Sequence, residues 1–258
     1  MTSPELVHLA VEGGVATITL DSPANRNALL AQLRGELLGH LRSALADDAA
    51  RVILLTHTGT VFCAGMDLRE TRGATADQQS INEFPAILEL IWNSPKPVVA
   101  RLAGPARAGG VGLVAAADIA VAVDSATFAF TEVRLGLVPA VISVTVLPRL
   151  LPRAAHELFL TGSVFDAERA ARIGLINAAV PAADLDASVA EYVSALRLGA
   201  PAALAGTKEL LRAERPATLT EDFAQMQALS ASYFAGADGQ EGMRAFAERR
   251  SPAWVIEG

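Results

Sequence analysis

The sequence predicts an α/β fold that becomes mostly helical beyond Pro152. Three observations carry this expectation. Short apolar runs that read as strands are interleaved with helical patterns. Leucines recurring every four residues mark one long amphipathic helix. Two glycine-lined segments, Phe62-Cys63-Ala64-Gly65-Met66-Asp67-Leu68 and Ala106-Arg107-Ala108-Gly109-Gly110-Val111-Gly112, each follow a strand-like run and lead into a helical one.

Residues 6–11 and 15–20 read as two strands joined at Gly13-Gly14, a strong hairpin signal. Asp21-Ser22-Pro23-Ala24 makes a turn. Leu29, Leu33, Leu37, Leu41 and Leu45 then share one helix face. Residues 51–57 form a strand that ends at the first glycine segment. The polar stretch 71–80 reads as a mobile surface loop. Residues 81–92 look helical, and Pro95-Lys96-Pro97 stops them. Residues 98–102 form a strand feeding the second glycine segment, with further strands at 118–123 and 127–130. The rhythm is a loose β-β-α rather than a strict βαβ. Helices are expected at 154–160, 167–173, 183–198, 201–212, 220–233 and 240–249. Gly199-Ala200-Pro201 divides a core of residues 1–198 from a helical region of residues 199–258. Phe223, Met226, Leu229, Phe234 and Phe246 give that region an apolar face. Such a face suits either a neighbouring subunit or an intrachain lid.

Composition narrows the function. At 258 residues, 52% of them hydrophobic and 19% charged, the chain buries a substantial core and is not disordered. The net charge of −7 gives no footprint for nucleic acid or an anionic membrane. It leaves room for an anionic small molecule held by a few local arginines or lysines. A single cysteine, Cys63, rules out an internal disulfide and a cysteine-based metal cluster. Met1-Thr2-Ser3-Pro4-Glu5 has no basic region followed by an apolar core, so no signal peptide is expected. The longest apolar stretch, 109–123, is interrupted by Asp118 and is too short to span a bilayer. The expectation is a cytoplasmic protein without metal.

The chemistry is expected at the glycine segments. A chain turning from strand to helix exposes N–H groups that neither element uses. Two such groups aimed at one point make an oxyanion hole. Glu132 follows about twenty residues beyond the second segment, among the apolar residues of Phe128-Ala129-Phe130-Thr131-Glu132-Val133. Desolvation there raises a carboxyl pKa toward a value useful for proton transfer. The competing reading is a strand-edge glutamate paired with Arg134 or Arg107.

Other motifs fall away. Gly110-Val111-Gly112-Leu113-Val114-Ala115 matches a dinucleotide fingerprint, but the following helix has room for only about two turns and its strand ends before Glu132. No nucleophile elbow and no phosphate-binding P-loop occurs. His8, His40, His57 and His156 lack metal-ligand spacing, and Cys63 reads as an inert buried thiol. Asp67 and Asp118 read as residues that cap helices or tie loops.

The ordered set of motifs resembles the crotonase superfamily, the enoyl-CoA hydratase/isomerase family, along nearly the whole chain. It comprises Ile18-Thr19-Leu20-Asp21-Ser22-Pro23 with Asn27-Ala28-Leu29, both glycine segments, Lys96-Pro97-Val98-Val99-Ala100, and Ala117-Asp118-Ile119. Phe130-Thr131-Glu132-Val133-Arg134-Leu135-Gly136-Leu137-Val138-Pro139 and Glu241-Gly242-Met243-Arg244-Ala245-Phe246 complete it. The resemblance implies a crotonase-like spiral of ββα units with a C-terminal helical oligomerisation region that builds homotrimers, often paired into hexamers. It implies acyl-CoA thioester substrates and no separate cofactor, coenzyme A being part of the substrate. By position, Met66 and Gly109 would supply the oxyanion-hole N–H groups and Glu132 the acid/base. The Ala64 carbonyl, Asp67 and Leu68 would lie along the coenzyme A, with Arg26 and Arg249 near its phosphates and Arg249 serving a neighbouring subunit.

One departure stands out. Family hydratases carry two glutamates, and the position of the first is Gly112 here. One carboxylate suffices to shuttle a proton between carbons, so residue types favour isomerisation of a 3-enoyl-CoA. Yet Val111-Gly112-Leu113-Val114 with the segment from Thr131 to Ser143 also resembles a bacterial subgroup described as hydratases, some of them acting on branched methylglutaconyl-CoA-like substrates. There other groups would hold the water, and Ser143 and Thr145 lie in the right stretch. A non-catalytic acyl-CoA-binding protein and a thioester hydrolase are the remaining readings. Retention of Glu132 argues against the first, and the lack of an activated nucleophile against the second.

Overall fold

The computed structural model describes residues 4–71, 83–212 and 219–253. The segment expected as a mobile loop at 71–80, the first residues of the helix expected at 81–92, and the last five residues lie largely or wholly outside that set. The N-terminal hairpin forms as expected, with β1 (Val7–Glu12) antiparallel to β2 (Val15–Leu20). Gly13 and Gly14 take φ of 56° and 84°. Positive φ at both positions is what a type I′ turn requires, one of the two-residue turns whose twist matches that of its strands.

From β2 the chain builds parallel strands. Helix α1 (Ala31–Ala46) leads to β3 (Val52–His57), and a short helix α2 (Leu68–Thr71) and α3 (Phe84–Asn93) lead to β4 (Val98–Leu102). A two-residue strand β5 (Ala106–Arg107) and α4 (Gly109–Ala116) lead to β6 (Ile119–Val123) and β7 (Thr127–Ala129). Then follow α5 (Ala140–Val146), α6 (Pro152–Thr161), β8 (Phe165–Asp166), α7 (Ala167–Arg172), β9 (Ala178–Val180) and α8 (Leu185–Leu198). The main sheet has the order β1-β2-β3-β4-β6-β9, parallel from β2 onward. A second sheet runs β5-β7-β8. Strands β3, β4 and β6 are nearly continuous apolar runs because both faces of a parallel sheet are covered.

The leucine repeat maps onto α1 with one shift. Leu33, Leu37 and Leu41 are buried on its inner face. Leu29 precedes the helix, and its N–H donates to the Gly65 carbonyl at 2.8 Å. The helix therefore starts later than the repeat, because Leu29 is used to tie the chain to the first glycine segment.

The C-terminal helices are α9 (Pro201–Arg212), α10 (Leu219–Ala235) and α11 (Ala237–Glu248). They fold back onto their own chain. Arg51 Nη2 donates to the Gly199 carbonyl at 2.6 Å. The buried Lys208 of α9 pairs with Asp118, whose Oδ2 also accepts the Val98 N–H at 2.7 Å. Asp118 thus ties the start of β4 to α9, a structural rather than a catalytic use. Helix α10 packs on α5 and α3, and α11 packs on a 3-10 helix at Glu132–Leu135. Gly242 allows that last contact: a Cβ there would meet the Leu135 carbonyl oxygen at 2.2 Å. No helix among the described residues is long and apolar enough to cross a membrane.

Candidate active site

The two glycine segments meet side by side. Cys63 and Ala106 form a parallel bridge, and the Arg107 N–H donates to the Cys63 carbonyl at 3.0 Å. Contact is close enough that a Cβ on Gly110 would sit 2.6 Å from the Cys63 oxygen, and one on Gly65 would sit 3.4 Å from the Gly109 nitrogen. The backbone entering Met66 therefore lies beside the Gly109 N–H. As the first residue of α4, Gly109 has no acceptor within its helix. Neither its N–H nor that of Met66 reaches an acceptor among the described residues.

The chain strains itself to aim these groups. Ala108, immediately before α4, has φ 46° and ψ −117°, a conformation that disfavours a residue with a Cβ. Such a residue costs roughly 1–3 kcal/mol and persists where surrounding structure over-determines it. Here the Ala108 N–H is held by the Ala129 carbonyl at 3.1 Å, and its own carbonyl accepts from Val111 at 2.9 Å. On the other side, buried Asn27 (φ 52°) accepts the Ser22 N–H and donates to the Thr58 and Val61 carbonyls at 3.0 and 2.8 Å. That network fixes the Arg26 turn against the start of the first glycine segment. Asp67 accepts from Arg69 through its N–H and its guanidinium, which holds the start of α2 and keeps the Asp67 carboxyl below its ordinary value.

Both free N–H groups belong to residues lining one cavity of about 410 Å³, and Glu132 lines it too. Glu132 begins the 3-10 helix, which Gly136 closes in a left-handed conformation. The expected strand stops at Ala129, so Glu132 is not a strand-edge residue. The carboxylate oxygen Oε2 is buried and has no hydrogen-bond partner among the described residues. Burial pushes the Glu132 carboxyl up to about 7, opposed only by its own backbone N–H. Neither suspected arginine pairs with it. Arg134 Nε donates to the Thr161 carbonyl at 3.1 Å, and Arg107 donates to the Ala106 and Thr127 carbonyls and to Thr127 Oγ1.

The structure brings Arg26, Ala64, Met66, Leu68, Gly109 and Glu132 to this cavity. It leaves Asp67 beneath the wall and Arg249 outside: Arg249 is exposed at the C-terminal cap of α11, with φ 55°. Ser143 and Thr145 do not line the cavity either. Ser143 Oγ donates to the Ala140 carbonyl at 2.6 Å, and buried Thr145 Oγ1 donates to the Gly112 and Ile142 carbonyls. Cys63 is buried, and burial pushes its thiol up to about 12. Buried His57 accepts the Ala103 N–H at 3.0 Å, a structural use. Among the described residues no group of three or more His, Cys, Asp or Glu could hold a metal ion.

Several lining residues escape the sequence reading, above all Phe84 and Ile142. Ile142 lies on α5, whose Val-Ile-Ser-Val-Thr-Val run is β-branched and gives no helical signal. Phe234 and Phe246, whose partner the sequence leaves open, also line the cavity, so α10 and α11 form part of its wall within one chain.

Known proteins share this chain's sequence pattern and fold. Residues 10–256 match the family described as enoyl-CoA hydratase/isomerase. The carnitinyl-CoA dehydratase of Proteus mirabilis is 35% identical over 257 residues, covering 96% of this chain and 97% of that protein. The crystal structure of an enoyl-CoA hydratase from Mycobacterium avium is 42% identical with a TM-score of 0.86, covering 98% of this chain and all of that one. A methylmalonyl-CoA decarboxylase in complex with 2-nitronate-propionyl-CoA superposes with a TM-score of 0.85 at 27% identity, over 99% of this chain and 100% of that one. The chain therefore carries the crotonase fold of an acyl-CoA enzyme and belongs to the enoyl-CoA hydratase/isomerase family.

Proposed function

We propose that this enzyme moves a proton at the carbon next to an acyl-CoA thioester, with Glu132 as its acid/base. The observation that carries the proposal is the Glu132 Oε2, buried and unpartnered in a cavity shared with the free N–H groups of Met66 and Gly109. A carboxyl poised near 7 is present in both protonation states at neutral pH, so it can take and return a proton. Removing a proton beside a thioester places charge on the thioester oxygen. Two backbone donors aimed at that oxygen bind the enolate better than the ground state. Each donor of this kind is worth about 3–4 kcal/mol in other enzymes.

The remaining roles follow the cavity. Arg26, Leu68 and Ala64 line it, and we assign Arg26 to the phosphates of coenzyme A, Leu68 to its body and the Ala64 carbonyl to its adenine amine. No separate cofactor is required. Arg249 lies outside the cavity of its own chain, and we assign it to a neighbouring subunit's coenzyme A. Exposed Leu210 and Leu211 of α9 support self-association through the C-terminal helices into a trimer or hexamer. The cytoplasm is the proposed compartment.

Hydration and double-bond isomerisation both pass through this enolate, and the relatives support a hydratase or dehydratase. A specific observation favours the one-base isomerase: among the described residues no second carboxylate lines the cavity. A panel of 2-enoyl and 3-enoyl thioesters scored for both reactions, with Glu132→Gln beside the wild type, tests the proposal. Loss of both reactions in Glu132→Gln supports it. Undiminished turnover refutes the role of Glu132, and tight binding without turnover by the wild type leaves only an acyl-CoA-binding protein.

A further inference from the structure

We infer that Ile142 fills the space that a side chain at position 112 would need, and so holds this enzyme to one-base chemistry. The inference rests on Glu132 as the acid/base. A Cβ built on Gly112 would lie 2.6 Å from Ile142 Cγ2, 3.2 Å from Ile142 Cβ and 3.5 Å from Phe84 Cζ. Cγ2 belongs to a β-branched residue inside helix α5, where one rotamer dominates, so it cannot swing aside as a flexible chain end would. The two backbones are also fastened together at this point, because Thr145 Oγ1 donates to the carbonyls of both Gly112 and Ile142. Gly112 and Ile142 are thus a fitted pair. The small residue on α4 admits the large one on α5, and the large one presents an apolar wall to the cavity.

That wall decides which reaction the site favours. Adding water across a 2-enoyl thioester needs polar groups that hold the water in place. Ile142 offers none, and the hydroxyls of its helix are turned to backbone carbonyls. Isomerisation needs no water. The Glu132 carboxylate takes a proton from C2 of a 3-enoyl thioester, and the C2–H bonding pair enters a dienolate whose charge rests on the thioester oxygen. The protonated Glu132 then returns that proton to C4. The double bond moves from C3–C4 to C2–C3, one C–H bond breaks and one forms, and the enzyme is restored. Ile142 is a specificity-determining residue that sets the ratio of isomerisation to hydration.

The test uses Gly112→Glu, Ile142→Gly and the double variant, each scored for isomerisation of a 3-enoyl-CoA and hydration of a 2-enoyl-CoA. Glycine at 142 is chosen because it removes Cβ as well as Cγ2. Gly112→Glu alone is expected to lower the melting temperature and to gain no hydration. In the double variant the hydration-to-isomerisation ratio is expected to rise at least about tenfold over Ile142→Gly alone, a coupling that neighbouring residues show and distant ones do not. A folded double variant with an unchanged ratio overturns the inference, as does a single Gly112→Glu that matches the double. A milder cycle with Gly112→Ala and Ile142→Ala covers the case where the double variant does not fold. Alanine normally stabilises a helix relative to glycine. Here Gly112→Ala is expected to lower the melting temperature while Ile142 is present. In the Ile142→Ala background it is expected to lower it less, or to raise it; equal effects in both backgrounds overturn the inference. Glu132→Gln separates the two readings. If it keeps full turnover, the role of Glu132 fails while the steric cycle can still hold.

Discussion

Burying Glu132 without a partner makes stability depend on pH in a way that one isosteric change should remove. The carboxyl titrates near 4.5 in the unfolded chain and at about 7 in the folded one. Below 4.5 both states hold the proton and the site adds nothing. As pH rises from 4.5 to 7 the unfolded chain releases its proton while the folded one keeps it, so folding loses stability. Above 7 both states are ionised and the loss levels off. Integrating between pH 5 and pH 8 gives a loss of about 2.5 kcal/mol. Glu132→Gln has no proton to release. Any fixed cost of burying its amide is the same at both pH values and cancels. Urea unfolding of both proteins at pH 5 and pH 8 reads the effect directly. Relative to Glu132→Gln, the wild type should lose about 2.5 kcal/mol over that interval. A difference between the two proteins that does not change with pH would show that Glu132 is not desolvated, and the reasoning from its orphaned oxygen would fail.

Further outcomes follow from other parts of the site. The pH profile of kcat/KM should carry an ionisation near 7 that disappears in whatever residual activity Glu132→Gln retains. Gly109→Ala should lower kcat by about a hundredfold, since its Cβ would meet Leu29 Cδ1 at 2.9 Å and displace the N–H donor; stopped-assay kinetics with unchanged acyl-CoA affinity checks this. Lys208→Met should destabilise the chain by about 3 kcal/mol by leaving Asp118 without its cation, read as a lowered urea midpoint. Cys63 should resist thiol reagents until the chain unfolds, because it is buried and its thiol is pushed up to about 12.

Strands β3, β4 and β6 were legible because parallel strands covered on both faces need unbroken apolar runs, and residues 52–57, 98–102 and 119–123 supply them, whereas the short strands β5, β8 and β9 were too brief to show such a run. Gly13-Gly14 was equally plain, since few other residues accept that turn. Helix α5 was not legible: its β-branched run carries no helical period, and only packing against α4 and α10 makes it a helix. The surroundings of Glu132 were half legible. Apolar neighbours announced a buried carboxylate, whereas two nearby arginines suggested partners that the fold directs to carbonyls instead. Gly112 was visible as a missing side chain. What replaces it was not, because Ile142 is distant in sequence and meets Gly112 only through the packing of two helices.

The central claim is that Glu132 moves the proton beside the thioester while the Met66 and Gly109 N–H groups hold the enolate. Exchange of the C2 hydrogens of a bound acyl-CoA with D2O, followed by proton NMR, tests that step without regard to whether water is later added. The wild type should exchange them, and Glu132→Gln should bind the thioester equally well yet exchange at least about a thousandfold more slowly. Exchange by Glu132→Gln at the wild-type rate would contradict the account.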